Sequence, residues 1–278
     1  MNPDKTFSFE LFPPKTEKGM VKLQSTVARL AERRPAFFSC TYGAGGSTRD
    51  RTFATVDWLV SQGIDTAPHL TCIGNSIAET LEILNRYREQ GIRRIVALRG
   101  DPPSGTGLGG GELTHASELV ALIREHFGDH FHIEVAAYPE MHPQAPNFLV
   151  DLDNFRTKVE AGADSAMTQY FYNADAYVHF VEQIRARGVD IPIVPGIMPI
   201  TNYSSLARFS DACGAEIPRW IRKRLEAYGD DVESIRAFGL EVVTGLCEQL
   251  LAAGAPGLHF YTMNQADPTL AIWDRLGL

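Results

Sequence analysis

Residues 7–14 read Phe-Ser-Phe-Glu-Leu-Phe-Pro-Pro, and Glu10 is the one ionisable group among them. A strand here would carry the carboxylate into or onto a core, where an unpaired charge is costly unless it is paired or neutralised. Pro13 and Pro14 cannot donate ladder hydrogen bonds, so the strand ends there and Glu10 falls near its carboxyl end. Polar groups recur at that same position along the chain. Thr41 and Tyr42 follow an apolar run at 35–40, His69 and Thr71 close the run 65–70, and Arg99-Gly100-Asp101 follows 94–98. Tyr138, Glu140 and His142 follow 132–137, Gln169 ends 165–169, and Tyr261 and Asn264 sit at and beyond the end of 258–261. Carboxyl and imidazole groups gathered in this way suit proton transfer, with amide and guanidinium groups to hold a polar ligand. Each residue also has a plainer reading. Glu10 as half of a half-exposed pair with an arginine, His69 as a structural imidazole, Tyr42 as a rim plug and Asp101 as a turn former before Pro102 with Arg99 as its salt-bridge partner all fit the residue types.

The elements that must position these groups alternate regularly. Helical periodicity is expected over 16–34, 49–62, 76–90, 117–127, 151–161 and 174–187, each between two short β-rich runs. Three helical segments occupy 201–254, and a closing helix starts at Pro268. The eight runs, the seventh at 193–197, lack an alternating polar face, as strands covered on both sides do. The expected fold is therefore α/β: a (β/α)8 TIM barrel with extra helices before the last strand, in one domain spanning 1–278, with an open doubly wound sheet as competitor. In such a barrel the chemistry sits at the carboxyl ends of the strands, where the polar residues concentrate.

Composition narrows the function. The chain has 278 residues, 44% of them hydrophobic, and a net charge of −8 without a basic stripe, which argues against nucleic acid as the main partner. No apolar run is long enough to span a membrane and no signal-peptide layout opens the chain, so a cytoplasmic protein is expected. Cys40, Cys72, Cys213 and Cys247 are dispersed, without zinc spacing, and read as reduced thiols. His69-x-x-Cys72 lacks a third ligand at motif spacing, so no metal is expected. Gly105-x-Gly107-x-x-Gly110 has a dinucleotide pattern, but residues 99–104 separate it from the preceding strand, so a loop is the better reading.

Taken together, eight segments in order resemble the 5,10-methylenetetrahydrofolate reductase family: 7–14, Thr-Tyr-Gly-Ala at 41–44, Ala-Pro-His-Leu-Thr-Cys at 67–72, Ala-Leu-Arg-Gly-Asp at 97–101, Ala-Ala-Tyr-Pro-Glu at 136–140, Thr-Gln-Tyr-Phe at 168–171, Pro-Gly-Ile-Met-Pro at 195–199 and His-Phe-Tyr-Thr-Met-Asn at 259–264. The resemblance implies a barrel carrying non-covalent FAD, reduced by NADH or NADPH and reoxidised by the folate in a ping-pong scheme. It implies Glu10 as the general acid that opens the methylenetetrahydrofolate ring, with Phe9, Leu11 and Phe12 as the apolar surroundings that favour a protonated carboxyl. Asp101 matches an aspartate near the flavin and folate, Gln169 an amide touching folate or nicotinamide, Phe209 an aromatic stacking on the ligand, and Thr41 a nicotinamide-side contact. Tyr42, Ala44, His69, Arg99, Gly100, Ala116, Tyr138, His142, Ala145, Asp151, Asn154 and Lys158 fall at FAD-contact positions.

Two departures stand out. Thr157 and Gln265 occupy positions where some members have arginine, which puts one phosphate or adenosine contact and the folate-tail contact in doubt. The chain stops at Leu278, so regulation through the C-terminal domain of eukaryotic members is not expected. A homo-oligomer is the expected state. The competing functions are a folate-binding methyl-transfer barrel without redox turnover and a reductase subunit that takes electrons from a partner.

Overall fold

The computed structural model describes residues 5–42, 49–100 and 111–278. Among them the chain runs β1 (Thr6–Leu11), α1 (Glu17–Ala31), β2 (Phe37–Cys40), α2 (Arg49–Ser61), β3 (Thr66–Thr71), α3 (Ile77–Glu89), β4 (Arg94–Leu98) and α4 (Ala116–Phe127). It continues through β5 (His132–Ala137), α5 (Phe148–Glu160), β6 (Ser165–Thr168), α6 (Ala174–Arg185), β7 (Ile193–Val194) and β8 (Gly196–Ile197). Then come α7 (Tyr203–Cys213), α8 (Arg219–Tyr228), α9 (Val232–Ala252), β9 (Gly257–Tyr261) and α10 (Ala266–Leu276).

Every strand pairing is parallel, in the order β7-β6-β5-β4-β3-β2-β1-β9-β8. The run at 193–197, read from sequence as one strand, is divided at Pro195, which has no N–H for a ladder. Its first half pairs with β6 and its second with β9, while the Pro195 carbonyl accepts from the His259 N–H at 3.0 Å. That bent seam closes the ring, so the nine short strands among the described residues are those of an eight-stranded (β/α)8 barrel, and three helices, two more than one βα unit needs, lie between β8 and β9 as the sequence implied.

Helix boundaries follow local chemistry. Thr16, Ser76, Asn147, Asn173, Asn202 and Asp231 each cap a helix by accepting from a backbone N–H of its first turn. Two glycines are required by space. A Cβ on Gly196 would lie 2.2 Å from the Thr168 carbonyl oxygen and 2.6 Å from the Tyr261 ring. One on Gly100 would lie 2.9 Å from Thr71, and Gly100 also has φ +85°.

The strands divide two cores. Phe9, Phe38 and Phe260 are register partners on β1, β2 and β9, and their outward face meets Trp273 of α10, with Phe9 and Trp273 ring centroids 5.5 Å apart. A small separate cluster of Phe37, Ala67, Val96 and Met167 fills the barrel interior. Below it, Glu134 is held by Arg94 and His132, and Arg94 lies over the Phe37 ring at 4.5 Å. Burial pushes the Glu134 carboxyl up, but His132, Arg94 and Ser165 outweigh it and hold the group below the usual carboxylate range. No helix among the described residues is long and apolar enough to cross a membrane.

Candidate active site

Strand alternation decides what surrounds Glu10. Phe9 and Leu11 point outward to the helix layer, whereas Glu10 shares the inward face with its register partners Ser39 and Tyr261. The expected apolar jacket of Phe9 and Leu11 is therefore corrected: of the three apolar neighbours in sequence, only Phe12 lines the same cavity as Glu10. Glu10 is buried, and its Oε2 lies 3.5 Å from His69 Nε2 and 3.9 Å from His259 Nε2. Neither Nε2 atom has a hydrogen-bond partner among the described residues, so the contacts are electrostatic. The other ring nitrogen of His259, Nδ1, is 2.7 Å from Ser8 Oγ. Burial pulls the His69 imidazole down from 6.5 to about 4 against the attraction of Glu10, with His259 lowering it further. His69 is thus neutral near pH 7.

Glu10 and His69 of this cluster line a cavity of about 570 Å³ at the carboxyl ends of the strands. Thr41, Tyr42, Gln169, Tyr170 and Met198 line its walls and Phe209 its mouth. Phe209 is 38% exposed, an uncommon state for a large ring and one suited to stacking on something that enters. Gln169 turns its Oε1 back to the Tyr170 N–H at 2.9 Å, leaving its amide nitrogen for the cavity. Tyr261 donates to the Thr168 carbonyl at 2.6 Å, across the space Gly196 leaves open.

A second cavity of about 590 Å³ shares Leu98, Ala136, Tyr138, His142 and Gln144 with the first, so the two are adjoining halves of one groove. Arg99, Gly100, Ala116, Ala145, Asp151, Asn154, Thr157 and Lys158 line it. Asp151 accepts from the His142 N–H at 2.8 Å, and the Tyr138 and His142 rings meet edge to face at 4.5 Å. Met141, between Glu140 and His142, has φ +119°, a strained backbone for a side chain with a Cβ. Lys158 is half-buried along its stem, with Nζ donating to the Ala136 carbonyl and Asp151 nearby. Burial lowers its ammonium from 10.5 to about 8 in spite of the attraction of Asp151. A sunken cation with further donor capacity on this wall fits the phosphate part of a dinucleotide.

Ala44 and Asp101 lie outside the described residues, as do Gly105, Gly107 and Gly110. Gln265 is not brought to the groove. It lines a separate cleft of about 230 Å³ with Thr201, Arg236 and Asp267, where it is the cap residue of α10. Asn264, one of the polar residues after the last strand, clamps β1 instead: its amide oxygen accepts from the Phe12 N–H at 2.9 Å and its nitrogen donates to the Phe12 carbonyl at 2.8 Å. Ser8 and His259 are members of the Glu10 cluster that sequence reading did not single out. The signal was present: both stand two residues from a noted inward position, Glu10 on β1 and Tyr261 on β9.

The fold and the groove define a (β/α)8-barrel enzyme whose polar groups converge at the carboxyl ends of its strands. The chain belongs to the methylenetetrahydrofolate reductase family, whose model matches residues 2–277. It is 40% identical over 272 residues to the 5,10-methylenetetrahydrofolate reductase of Pectobacterium carotovorum, covering 98% of this chain and 90% of that protein. The counterpart from Escherichia coli is 39% identical with the same coverage. Among solved structures, a Clostridium thermocellum protein that binds two copies of 5-methyl-5,6,7,8-tetrahydrofolic acid superposes with a TM-score of 0.70 at 17% identity, over 99% of this chain and 96% of that one, which is a likeness of fold.

Proposed function

We propose that this protein reduces 5,10-methylenetetrahydrofolate to 5-methyltetrahydrofolate with electrons from NADH or NADPH, through a non-covalent FAD in the groove and in two half-reactions that use one pocket in turn. The observation that carries the reading is Glu10: a buried carboxyl lining a roomy cavity, flanked by two imidazoles and, among the described residues, no arginine ion-pair partner. FAD, when bound, would supply the hydride chemistry that no side chain here can.

The chain's own residues divide the remaining work. Lys158, Arg99 and Asn154 would hold the phosphate and ribose part, while Asp151 accepts from the His142 N–H and attracts the Lys158 ammonium. Thr41, Tyr42, Tyr138 and His142 would hold the ring end of the cofactor, and Gln169 and Phe209 would hold the substrate in the same cavity. Glu10 donates a proton to the amine nitrogen that leaves as the bridging carbon becomes an electrophilic iminium. Asp101, matched by family resemblance, supplies negative charge that favours this cation. A methyl-transfer barrel without redox turnover would have no use for a sunken lysine in an adjoining half-groove.

The test is a visible spectrum of the purified protein. A flavin band should bleach with NADH or NADPH in the absence of air and return on adding methylenetetrahydrofolate. A colourless protein that cannot be reconstituted with FAD refutes the proposal.

A further inference from the structure

Glu140 follows β5 among the polar residues at the strand ends, yet it lines neither half of the groove. Its carboxylate is engaged elsewhere. Oε2 accepts from the backbone N–H of Glu216 at 2.8 Å, a contact between the loop after β5 and the segment after α7, 76 positions apart in sequence. Burial pushes the Glu140 carboxyl up from its ordinary value against the pull of that N–H, and the charge of Glu216 adds to the rise. A carboxylate half-buried at a cost, with no proton to deliver in the groove, has some other use.

The two segments it joins serve opposite halves of the site. The loop after β5 supplies Tyr138, His142 and Ala145 to the cofactor half, and α7 brings Phe209 to the mouth of the substrate cavity. Helix α7 is shallowly anchored. Of its eleven residues only Leu206 and Ser210 are buried, with Ser210 Oγ 3.0 Å from the Tyr170 hydroxyl. Gly214 closes the helix at φ +75° and packs on Pro143 of the β5 loop, where a Cβ would come within 3.3 Å. Beyond it, Ala215 and Ile217 are buried on either side of the exposed Glu216.

Burial of those two side chains holds the segment down but has no direction, whereas a hydrogen bond does. The bond to Glu140 therefore sets how the backbone leaves α7. At its other end the same contact steadies a strained loop: Met141, between Glu140 and His142, keeps φ +119° only because its surroundings over-determine it.

We propose that Glu140 is a positioning residue, whose carboxylate straps the end of α7 to the loop after β5 and so holds Phe209 over the substrate cavity. The use of the strap rests on the folate reduction proposed above; the strap itself belongs to the chain alone. Glu140 touches neither substrate nor cofactor. Without it, α7 keeps Leu206 and Ser210 but its end swings, so the ring stacks on the substrate for only part of the time. Substrate binding weakens while proton transfer from Glu10 continues.

Hydrogen exchange of the purified protein without added ligand tests the strap, and steady-state kinetics tests its use. E140A should speed exchange over residues 203–216 and leave the rest of the barrel protected. E140Q, whose amide oxygen accepts the same N–H, should restore wild-type exchange. E140A should also raise the KM for methylenetetrahydrofolate about fivefold, the reach of one stacking contact, with kcat within about twofold and E140Q close to the wild type. In F209A, which has no ring to hold, adding E140A should raise KM no further. Unchanged exchange or KM in E140A, exchange quickened throughout the barrel, E140Q as impaired as E140A, or effects of E140A and F209A that multiply would each overturn the proposal. Should the protein reduce no folate, the failure lies with the proposed function, and the exchange comparison still decides the strap.

Discussion

Acidification should unfold this protein partly through His69. The imidazole has an ordinary value of 6.5 in the unfolded chain and about 4 in the folded one, because burial disfavours its charged form more than Glu10 favours it. Between those values the unfolded state binds the proton and the folded state does not, so stability is complete above about 6.5 and is lost as pH falls toward 4. Integrating between pH 7.5 and pH 5 gives a loss of about 2 kcal/mol from this one group. His69→Gln keeps a neutral polar side chain of similar size and removes the titration. Urea unfolding at pH 7.5, 6 and 5, without added flavin, should therefore show a wild type that weakens more steeply than the variant by about 2 kcal/mol over the range. Glu134, held below the usual carboxylate range, loses its stabilising effect only at lower pH and does not mask the His69 effect in this window. Equal slopes for wild type and His69→Gln would refute the assignment of a buried neutral imidazole beside Glu10.

Three further outcomes are expected. Glu10→Gln should retain flavin and its reduction by NADH or NADPH yet lose folate reduction by about 10²–10⁴-fold, the usual reach of general acid catalysis; stopped-flow absorbance separates the half-reactions, and unchanged folate turnover removes Glu10 from the mechanism. Lys158→Met should weaken FAD by roughly 30-fold, the loss of a charge-assisted contact of about 2 kcal/mol, measured by fluorescence titration; wild-type affinity would take Lys158 out of the cofactor site. Gly196→Ala forces a Cβ to 2.2 Å from the Thr168 oxygen and should cost about 3 kcal/mol in urea unfolding, with wild-type stability showing that the seam can open to admit a methyl group.

Much of this protein is decided by its sequence alone. The alternation of β-rich runs and helical periods, with caps such as Ser76 and Asn147, sets the barrel, because local propensity and binary pattern agree at nearly every element. The clustering of polar residues after the strands likewise places the site on one face, and Glu10 is already conspicuous there.

What the sequence leaves open is whatever depends on two segments meeting. The surroundings of Glu10 are an example: its neighbours in sequence, Phe9 and Leu11, turn away through strand alternation, while His69 and His259 arrive from strands 59 and 249 positions later. Pro195 divides a strand that pattern alone reads as continuous, since only the closing of the ring requires it to pair with β6 on one side and β9 on the other. Gln265 and Asn264 follow the last strand as closely as other site residues do, yet one caps a helix beside a different cleft and the other clamps β1. Barrel closure fixes which side chains face one another, and that long-range register is information no single segment carries.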